Sequence, residues 1–373
     1  MKKILLTFTL TLFLFLAGCS DNNTVSKLKP TDDCNEKRLD GGWVCVWADE
    51  FDLDTVDKDK WNYEVNGGGG GNNELQYYTN KNATVDNSIL TITAKKEDYM
   101  GQSYTSSRLT TKYKGDFLYG RFIIRAKNPV GRGTWPAIWM MPTMDTYGGW
   151  PRSGEIDIME YVGYDPDNIH GTIHTDRFNH KKGTQLGMAM PLADSNQVFH
   201  DYEIIWMPGN IKWFVDGEKY YEVNYTPQFT SDSKYYEAFP FDHDFFLILN
   251  LAIGGDWGGA QGIDQSIFPA TFQVDYVRVY QMDYGTVDKK SPDKVVNIAN
   301  AKVKDTIHWN RAEDDFGISK YAVYVDGELN GYANLNQFTL KNILPNKTYD
   351  ITIEAIDFAG RTSKLSDVYT YMS

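Results

Sequence analysis

The strongest constraint on the fold is a series of short segments between about residue 40 and residue 281 in which apolar and polar residues alternate. Ser88–Ala94 and Gly120–Ala126 alternate in this way, and Tyr202–Val223 contains two strands joined by a turn at Pro208-Gly209-Asn210 and then a second turn at Asp216-Gly217. The run Phe245–Ile253 is almost wholly apolar, which indicates a strand covered on both faces. Because no segment there sustains a helical period, the sequence predicts an all-β fold.

A second unit is predicted beyond this region. Residues 282–293 are polar and are typical of a linker, and residues 294–373 contain further strand patterns with turns at Asp326-Gly327 and Ala359-Gly360. This part resembles a fibronectin type III domain, and the resemblance rests on two segments, Tyr321-Ala322-Val323-Tyr324 and Leu344–Tyr349. We therefore expect a small C-terminal fibronectin type III-like β-sandwich, acting as a spacer or as a weak binding module.

Charge and composition exclude some classes of partner. The 373 residues carry a formal charge of −13, from 37 basic and 50 acidic side chains, and no basic stripe that would neutralise phosphates. Nucleic acid is therefore excluded and a polyanionic substrate is disfavoured. Aromatic residues make up 14% of the chain, which suits strands and also suits sugar binding, because flat side chains stack on the apolar faces of pyranose rings.

The N-terminus has the pattern of an export signal. Lys2 and Lys3 precede an apolar run that is too short for a membrane span, and Ala17-Gly18 stands directly before Cys19. This arrangement resembles the lipobox of bacterial lipoproteins, which implies cleavage after residue 18 and acylation of Cys19. We expect a signal peptide over 1–18, a tether over 19–40, and an exported lipoprotein anchored in the outer membrane or at the cell surface.

Two cysteines remain once Cys19 is assigned to lipidation. Because the chain reaches an oxidising compartment, a disulfide between Cys34 and Cys45 is the natural interpretation. Two unrelated buried thiols are the alternative. No His or Cys cluster with metal-ligand spacing accompanies them.

Three carboxylates lie within six residues, in Glu155-Ile156-Asp157-Ile158-Met159-Glu160. In a strand, side chains two residues apart share a face, so Glu155 and Asp157 point one way and the isoleucines point the other. Glu160 has the opposite parity and would be an unpaired buried carboxylate in a regular strand. We therefore predict a one-residue β-bulge around Ile158 and Met159 that returns Glu160 to the side of Glu155.

The same six residues resemble the signature of glycoside hydrolase family 16 in its laminarinase-like form. Further matches cover about 240 residues, and they are Asp49-Glu50-Phe51, Asn73–Tyr78, Gly133–Trp139, His170–Thr175, Gly254–Gly259 and Asp275–Tyr280. The resemblance implies that residues 41–281 form a jelly-roll β-sandwich with a concave substrate cleft. It also implies a retaining endo-β-glucanase acting on β-1,3-glucan (laminarin) or mixed-linkage β-1,3-1,4-glucan.

Site residues follow from the resemblance position by position. It implies Glu155 as the nucleophile, Glu160 as the general acid/base and Asp157 as the neighbour that orients them, with no cofactor for catalysis. Substrate contacts are implied for a larger set, namely Asn73, Arg108, Trp135, Trp139, His174 and Trp257. A structural Ca²⁺ ion is implied at Glu50 and Asp275. We expect a monomer whose partners are the β-glucan and, through Cys19, the membrane.

Two other functions remain open at this point. The chain could be a surface glycan-binding lipoprotein that has lost catalysis, although both Glu155 and Glu160 are present. It could also be a hydrolase of galactans such as agar or carrageenan.

Overall fold

The computed structural model describes residues 28–225 and 234–373. The first part of the chain forms nineteen of the described strands, and their bounds are β1 Arg38–Leu39, β2 Trp43–Asp49, β3 Asn62–Tyr63, β4 Gln76–Tyr78, β5 Ala83–Asp86, β6 Ile89–Tyr99, β7 Gln102–Ser106, β8 Arg108–Thr110, β9 Asp116–Phe117, β10 Gly120–Lys127, β11 Thr134–Pro142, β12 Glu155–Glu160, β13 Asn168–His174, β14 Leu186–Pro191, β15 His200–Met207, β16 Asn210–Val215, β17 Glu218–Asn224, β18 Phe245–Ile253 and β19 Ala270–Met282.

Helices are few and short. The described α-helices are α1 Tyr235–Ala238 and α2 Tyr284–Val287, and the described 3₁₀ turns are Gly69–Gly71, His180–Lys182 and Gln265–Ile267. No helix among the described residues is long and apolar enough to cross a membrane. The predicted all-β class is confirmed.

Two large sheets make up the first domain. One contains eleven strands, with the path β17-β16-β15-β10-β19-β6-β7-β4 and with β1, β2 and β5 attached to it. The other contains eight strands, in the order β14-β13-β12-β11-β18-β8-β3 with β9 paired to β18. Neighbours are antiparallel except for β4 and β7. Side chains from both sheets meet in one apolar core, which defines the sandwich.

Strand β18 lies at the centre of the eight-stranded sheet. All nine of its residues, Phe245–Ile253, are buried, as the apolar run predicted. Alternate residues, Leu247, Leu249 and Leu251, enter the core between the sheets. The opposite face of β18 forms part of the floor of a cleft. Asn250, the polar residue that interrupts the apolar run, lies on this face.

The C-terminal module has a core of its own. Its strands are β20 Ala299–Asn300, β21 Thr306–His308, β22 Ile318–Val325, β23 Glu328–Ala333, β24 Gln337–Thr339, β25 Thr348–Asp357 and β26 Tyr369–Met372. They form a three-stranded sheet, β20-β21-β24, and a four-stranded sheet, β23-β22-β25-β26. The two sheets enclose a cluster around Trp309, Tyr321 and Ile353.

The module also contacts the first domain. Leu335 belongs to the core of the large sandwich, and the ring of Phe358 stacks on Tyr284 with centroids 4.5 Å apart. The edge of Tyr119 also meets Phe358 at 6.2 Å. Aromatic contacts of this kind fix the module against the sandwich.

Near the start of the described chain, Cys34 and Cys45 form a disulfide whose Cα atoms are 6.4 Å apart. Cys45 lies on β2, and both cysteines are buried beside Tyr280. Strand β1 pairs with β2 through Leu39 and Trp43. The last residues of the expected tether are therefore attached to the sandwich. The predicted lipidation site Cys19 and the predicted signal peptide lie outside the described residues.

Candidate active site

The three acids lie on β12, and its neighbours show which way each side chain points. On β11, Ile138 pairs with Met159 and Trp139 pairs with Asp157, so Ile158 is an extra residue on β12. This register shift confirms the predicted bulge. Since paired residues share a face, Glu160, opposite Ala137, lies on the same face as Asp157, opposite Trp139.

Strand β13 gives the same result from the other side. Glu155 pairs with His174, Asp157 pairs with Thr172, and Glu160 pairs with His170. The three carboxylates therefore project from one face of the sheet. Ile156, Ile158 and Met159 are buried in the core on the opposite face, which fixes the strand from below.

Each glutamate accepts a hydrogen bond from an indole. The Trp150 Nε1 donates to Glu155 Oε2 at 2.8 Å, and the Trp135 Nε1 donates to Glu160 Oε1 at 3.1 Å. Below them, Trp213 Nε1 donates to the backbone carbonyl of Asp157 at 2.8 Å. The two glutamates are thus oriented by rigid indole donors, while the charge of Arg108 partly offsets the rise in the pKa of Glu155.

His174 lies against two of the acids. Its Nε2 is 3.6 Å from Glu155 Oε1 and 3.5 Å from Asp157 Oδ2. Burial lowers the pKa of His174 to about 4, with a further contribution from His180. At neutral pH His174 is uncharged, so it can orient the carboxylates but does not neutralise them.

The electrostatics of the site favour retention of protons. Burial, followed by the charge of Glu160, raises the pKa of Glu155 to about 8. Burial raises the pKa of Glu160 to about 7, opposed by the hydrogen bond from Trp135. The pKa of Asp157 is raised by burial and by both glutamates. Because the carboxyls repel one another, they titrate as a group and at least one proton is held near neutral pH.

The acids line a cleft of about 740 Å³. Cleft-lining residues come from β8, β11, β12, β13, β14 and β18 and from the loops above them. Five of the six predicted substrate-contact residues line it, and they are Arg108, Trp135, Trp139, His174 and Trp257. The cleft is large enough for several sugar units.

Trp135 and Trp139 share a face of β11, as their spacing predicted. Trp135 packs edge-on against Trp257 with centroids 5.6 Å apart. The guanidinium of Arg108 covers one face of Trp139, 4.7 Å from the ring centroid, while the Trp139 Nε1 donates to Asn250 Oδ1 at 2.7 Å. Arg108 also pairs with Glu64 at 3.0 Å, so it orients Trp139 as well as lining the cleft.

The glycines of Gly254–Gly259 allow Trp257 to reach this position. A Cβ atom on Gly258 would lie 2.7 Å from the Cβ of Trp135, and one on Gly255 would lie 2.9 Å from the carbonyl of Asn72. Gly255 also has a φ of 77°, a conformation that glycine adopts without strain. The loop therefore needs glycine to fold closely over Trp135.

Asn73 is placed differently from the other predicted contacts. Its side chain is bonded through Nδ2 to Asp256 Oδ1 at 2.8 Å, and it does not line the cleft, whereas its neighbours Asn72 and Glu74 do. Asn73 has a φ of 57°, so the chain turns there. In this structure Asn73 positions Asp256, which faces the cleft.

Glu74 and Asn250 are among the cleft residues that were not predicted from the sequence. Glu74 is buried and accepts hydrogen bonds from Gln76 at 2.7 Å and from Tyr78 at 3.0 Å. Asn250 accepts from Trp139 and donates to the Tyr78 hydroxyl at 3.2 Å. The sequence did contain a signal for Asn250, because it is a single asparagine within the apolar run of β18. A buried amide needs hydrogen-bond partners, so such a residue indicates a polar site.

The predicted calcium residues are engaged by arginines. Glu50 accepts from Arg278 Nε at 2.7 Å and from Arg278 Nη2 at 2.9 Å, and Asn35 donates to both of its oxygens. Asp275 pairs with Arg125 at 3.3 Å. Because a cation would have to sit beside a guanidinium at each carboxylate, these side chains do not fit a calcium ion as arranged here.

Paired carboxyls at the floor of a concave, tryptophan-lined cleft define the class of this protein as a glycoside hydrolase. The family model for glycosyl hydrolases family 16 matches residues 70–278. The chain belongs to this family.

Its relatives agree on the extent of the domain. A beta-glucanase of Rhodothermus marinus is 51% identical over 245 residues, which cover 64% of this chain and 85% of that protein. The crystal structure of the laminarinase from the same organism superimposes with a TM-score of 0.62 at 50% identity, covering 64% of this chain and 98% of the other. The structure of SCLam, a non-specific endo-beta-1,3(4)-glucanase, gives a TM-score of 0.60 at 42% identity, covering 69% and 94%.

Proposed function

We propose that this glycoside hydrolase is a retaining endo-β-glucanase that cleaves β-1,3-glucan or mixed-linkage β-1,3-1,4-glucan through a covalent glycosyl-enzyme intermediate. The observation that carries the proposal is the β12 bulge, which places Glu155 and Glu160 on one face of the cleft floor. The names of the relatives, a beta-glucanase, a laminarinase and an endo-beta-1,3(4)-glucanase, support the choice of substrate.

In the first step, the Glu155 carboxylate attacks the anomeric carbon and Glu160 protonates the leaving glycosidic oxygen. The Trp150 indole stabilises the Glu155 anion with its hydrogen bond, and Trp135 orients Glu160. The coupled carboxyls hold at least one proton near neutral pH, and this step uses the state in which the proton is on Glu160 while Glu155 is ionised. One C–O bond forms as the glycosidic C–O bond breaks.

In the second step, the charge of Glu155 has disappeared into the glycosyl ester. Glu160, now ionised, takes a proton from water, and the resulting oxygen attacks the same anomeric carbon and releases Glu155. Asp157 and neutral His174 lie beside Glu155 and hold its carboxyl in place in both steps. Two inversions at one carbon give net retention.

The cleft supports an extended substrate. Trp135, Trp139 and Trp257 provide aromatic surfaces next to the acids, and Glu74 and Asn250 also line the cleft. A sugar ring can stack on an indole through its C–H face while its hydroxyls bond to the polar groups. An open cleft with binding surfaces in this arrangement favours attack within a chain.

Two alanine variants test the roles of the glutamates. Glu155→Ala should abolish hydrolysis of every substrate, because no intermediate can form. Glu160→Ala should retain activity on aryl glycosides whose leaving groups need little protonation, and azide should restore its turnover by forming a β-glycosyl azide. Glu218→Ala, on the exposed edge strand β17, is the matched control and should behave like the unaltered enzyme.

Product analysis completes the test. Laminarin and barley β-glucan should yield oligosaccharides whose first-released anomer is β, whereas agarose and carrageenan should not be cleaved. A first product of α configuration, or azide rescue of neither variant, would refute the assigned roles. Cleavage of agarose or carrageenan alone would replace the glucan by a galactan, and no cleavage of any of the four would favour a glycan-binding protein.

We also propose that the chain is exported and held at the membrane by acylation of Cys19, with the C-terminal module acting as a fibronectin type III-like spacer. Lys2, Lys3 and the small residues before Cys19 support the anchor. Cys19→Ala should leave an unacylated precursor that no longer partitions into detergent. Unchanged partitioning would contradict the anchor.

A further inference from the structure

Three aspartates lie together where the linker meets the C-terminal module, away from the cleft. Asp288 directly follows α2, Asp314 lies between β21 and β22, and Asp357 is the last residue of β25. One carboxylate oxygen of each lies within 4.8 Å of those of the other two. Asp288 is 0% exposed and Asp357 is 2% exposed, so two of these charges are withdrawn from water.

Each carboxylate uses one oxygen to hold the backbone. Asp288 Oδ1 accepts from the Lys290 amide at 3.1 Å, and Asp357 Oδ1 accepts from the Arg361 amide at 2.8 Å. Asp314 Oδ2 accepts from the amides of Phe316 and Gly317, both at 2.9 Å. These bonds fix the orientation of all three side chains.

The other oxygen of each carboxylate is buried without a hydrogen-bond partner among the described residues. These atoms are Asp288 Oδ2, Asp314 Oδ1 and Asp357 Oδ2. Buried acceptors are rarely left unpaired, and three of them in one cluster favour a positively charged ligand. Arg361 supplies one positive charge on one side only, with Nη1 3.5 Å from Asp288 Oδ1.

We propose that Asp288, Asp314 and Asp357 bind one Ca²⁺ ion that fastens the C-terminal module to the catalytic domain. Three fixed carboxylate oxygens and no nitrogen or sulfur ligand are the donor set of a hard divalent cation. Three carboxylates and one guanidinium leave a formal charge of −2, which the ion neutralises. Water and nearby carbonyls can complete the larger coordination shell that Ca²⁺ accepts.

The position of the ion gives its role. Asp288 belongs to the segment that leaves the catalytic domain, whereas Asp314 and Asp357 belong to the module. One residue after Asp357, Phe358 stacks on Tyr284 of α2. Binding of Ca²⁺ thus joins the same two segments that this aromatic pair joins, and its removal should free the module from the sandwich.

The test is calcium titration of the full chain after treatment with a chelator, followed by calorimetry and by thermal unfolding. We expect one Ca²⁺ per chain and a higher Tm when calcium is bound. Asp288→Asn and Asp357→Asn should each weaken calcium binding by about tenfold or more. Asp367→Asn is the matched control, because Asp367 is on the same module but its side chain is 92% exposed.

Further measurements distinguish the aspartate cluster from the acids of the cleft. Glu155→Gln should bind calcium normally, although the cleft contains a second carboxylate and histidine cluster at Glu155, Asp157 and His174. In chelator, the asparagine variants should have a Tm at or above that of the unaltered chain, because they remove repulsion. Proteolysis within residues 282–298 should be faster without calcium.

The proposal would be overturned if the chain bound no calcium, or if Asp367→Asn weakened calcium binding as much as Asp288→Asn does. It would also be overturned if Glu155→Gln weakened calcium binding and Asp288→Asn did not. Magnesium binding as tight as calcium binding would overturn the choice of ion. Since the ligands lie outside the cleft, hydrolysis of short glucan oligosaccharides should be unchanged in Asp288→Asn. The calcium site can therefore fail while the proposed glucanase activity stands, and the reverse is equally possible.

Discussion

Replacing Glu160 by the neutral glutamine should raise the free energy of unfolding, although the same change removes the proposed acid/base group. Glu160→Gln keeps a carbonyl that can accept the hydrogen bond from Trp135 but removes a charge that burial disfavours. The rise in the pKa of Glu160 from 4.5 to about 7 corresponds, at about 1.4 kcal/mol per pH unit, to about 3 kcal/mol of lost folding free energy above pH 7.

The sign of the effect follows from proton binding. Between pH 4.5 and about 7 the folded state holds a proton on Glu160 that the unfolded state has released, so stability falls as pH rises through this window. Below pH 4.5, Glu160 is protonated in both the folded and the unfolded state, so Glu160→Gln gains no stability there. Because Glu155 and Asp157 titrate together with Glu160, the free energy cannot be assigned to Glu160 alone. We therefore expect the free energy of unfolding of Glu160→Gln to exceed that of the unaltered chain by about 1–3 kcal/mol at high pH.

Thermal unfolding between about pH 4 and pH 8 measures this difference. At about 2–4 °C per kcal/mol, the Tm of Glu160→Gln should exceed that of the unaltered chain by roughly 2–12 °C at pH 8 and by almost nothing at pH 4. Glu218→Gln, on the exposed strand β17, should show no such trend. A Tm difference that does not grow with pH, or that has the opposite sign, would refute the reasoning.

Three further predictions concern other parts of the chain. Trp135→Phe removes a hydrogen bond that lowers the pKa of Glu160, so the alkaline limb of kcat/KM should move to higher pH; an unchanged limb would contradict this. Loss of the Cys34–Cys45 disulfide, which spans 11 residues, should cost roughly 2–4 kcal/mol in chemical denaturation, and an unchanged midpoint would show that the cross-link contributes nothing. A chain ending at Gln281 should keep its rate on short oligosaccharides but melt at a lower temperature, because the module no longer covers the sandwich; loss of activity in a folded truncation would show a shared site.

Local patterns in the sequence predicted several of the strands, including β6, β10 and β18, and the face on which the acids lie. The bulge at Ile158 was predictable because a regular strand would have buried Glu160 among apolar side chains. The shared face of Trp135 and Trp139 followed from the two-residue period of a strand. In these cases a residue's neighbours in sequence decide its environment.

Contacts between distant segments could not be predicted in the same way. Asp288, Asp314 and Asp357 are spread over 70 residues, and each looks like an ordinary turn aspartate until the fold brings them together. The arginine partners of Glu50 and Asp275 come from other strands, so the carboxylates alone suggested a cation site. Pairings of this kind depend on tertiary structure rather than on local propensity.

The bulge also explains how three mutually repelling acids are held together. Ile158 and Met159 are both buried in the core, so the extra residue costs β12 no apolar burial. Ile156 and Met159 fix the strand on either side of the bulge, and the acids project from the opposite face. Packing beneath the cleft therefore sets the spacing of Glu155 and Glu160. The raised pKa values of these two residues show that holding them ionised there costs folding free energy, and burial of the apolar side chains on the other face of β12 offsets that cost.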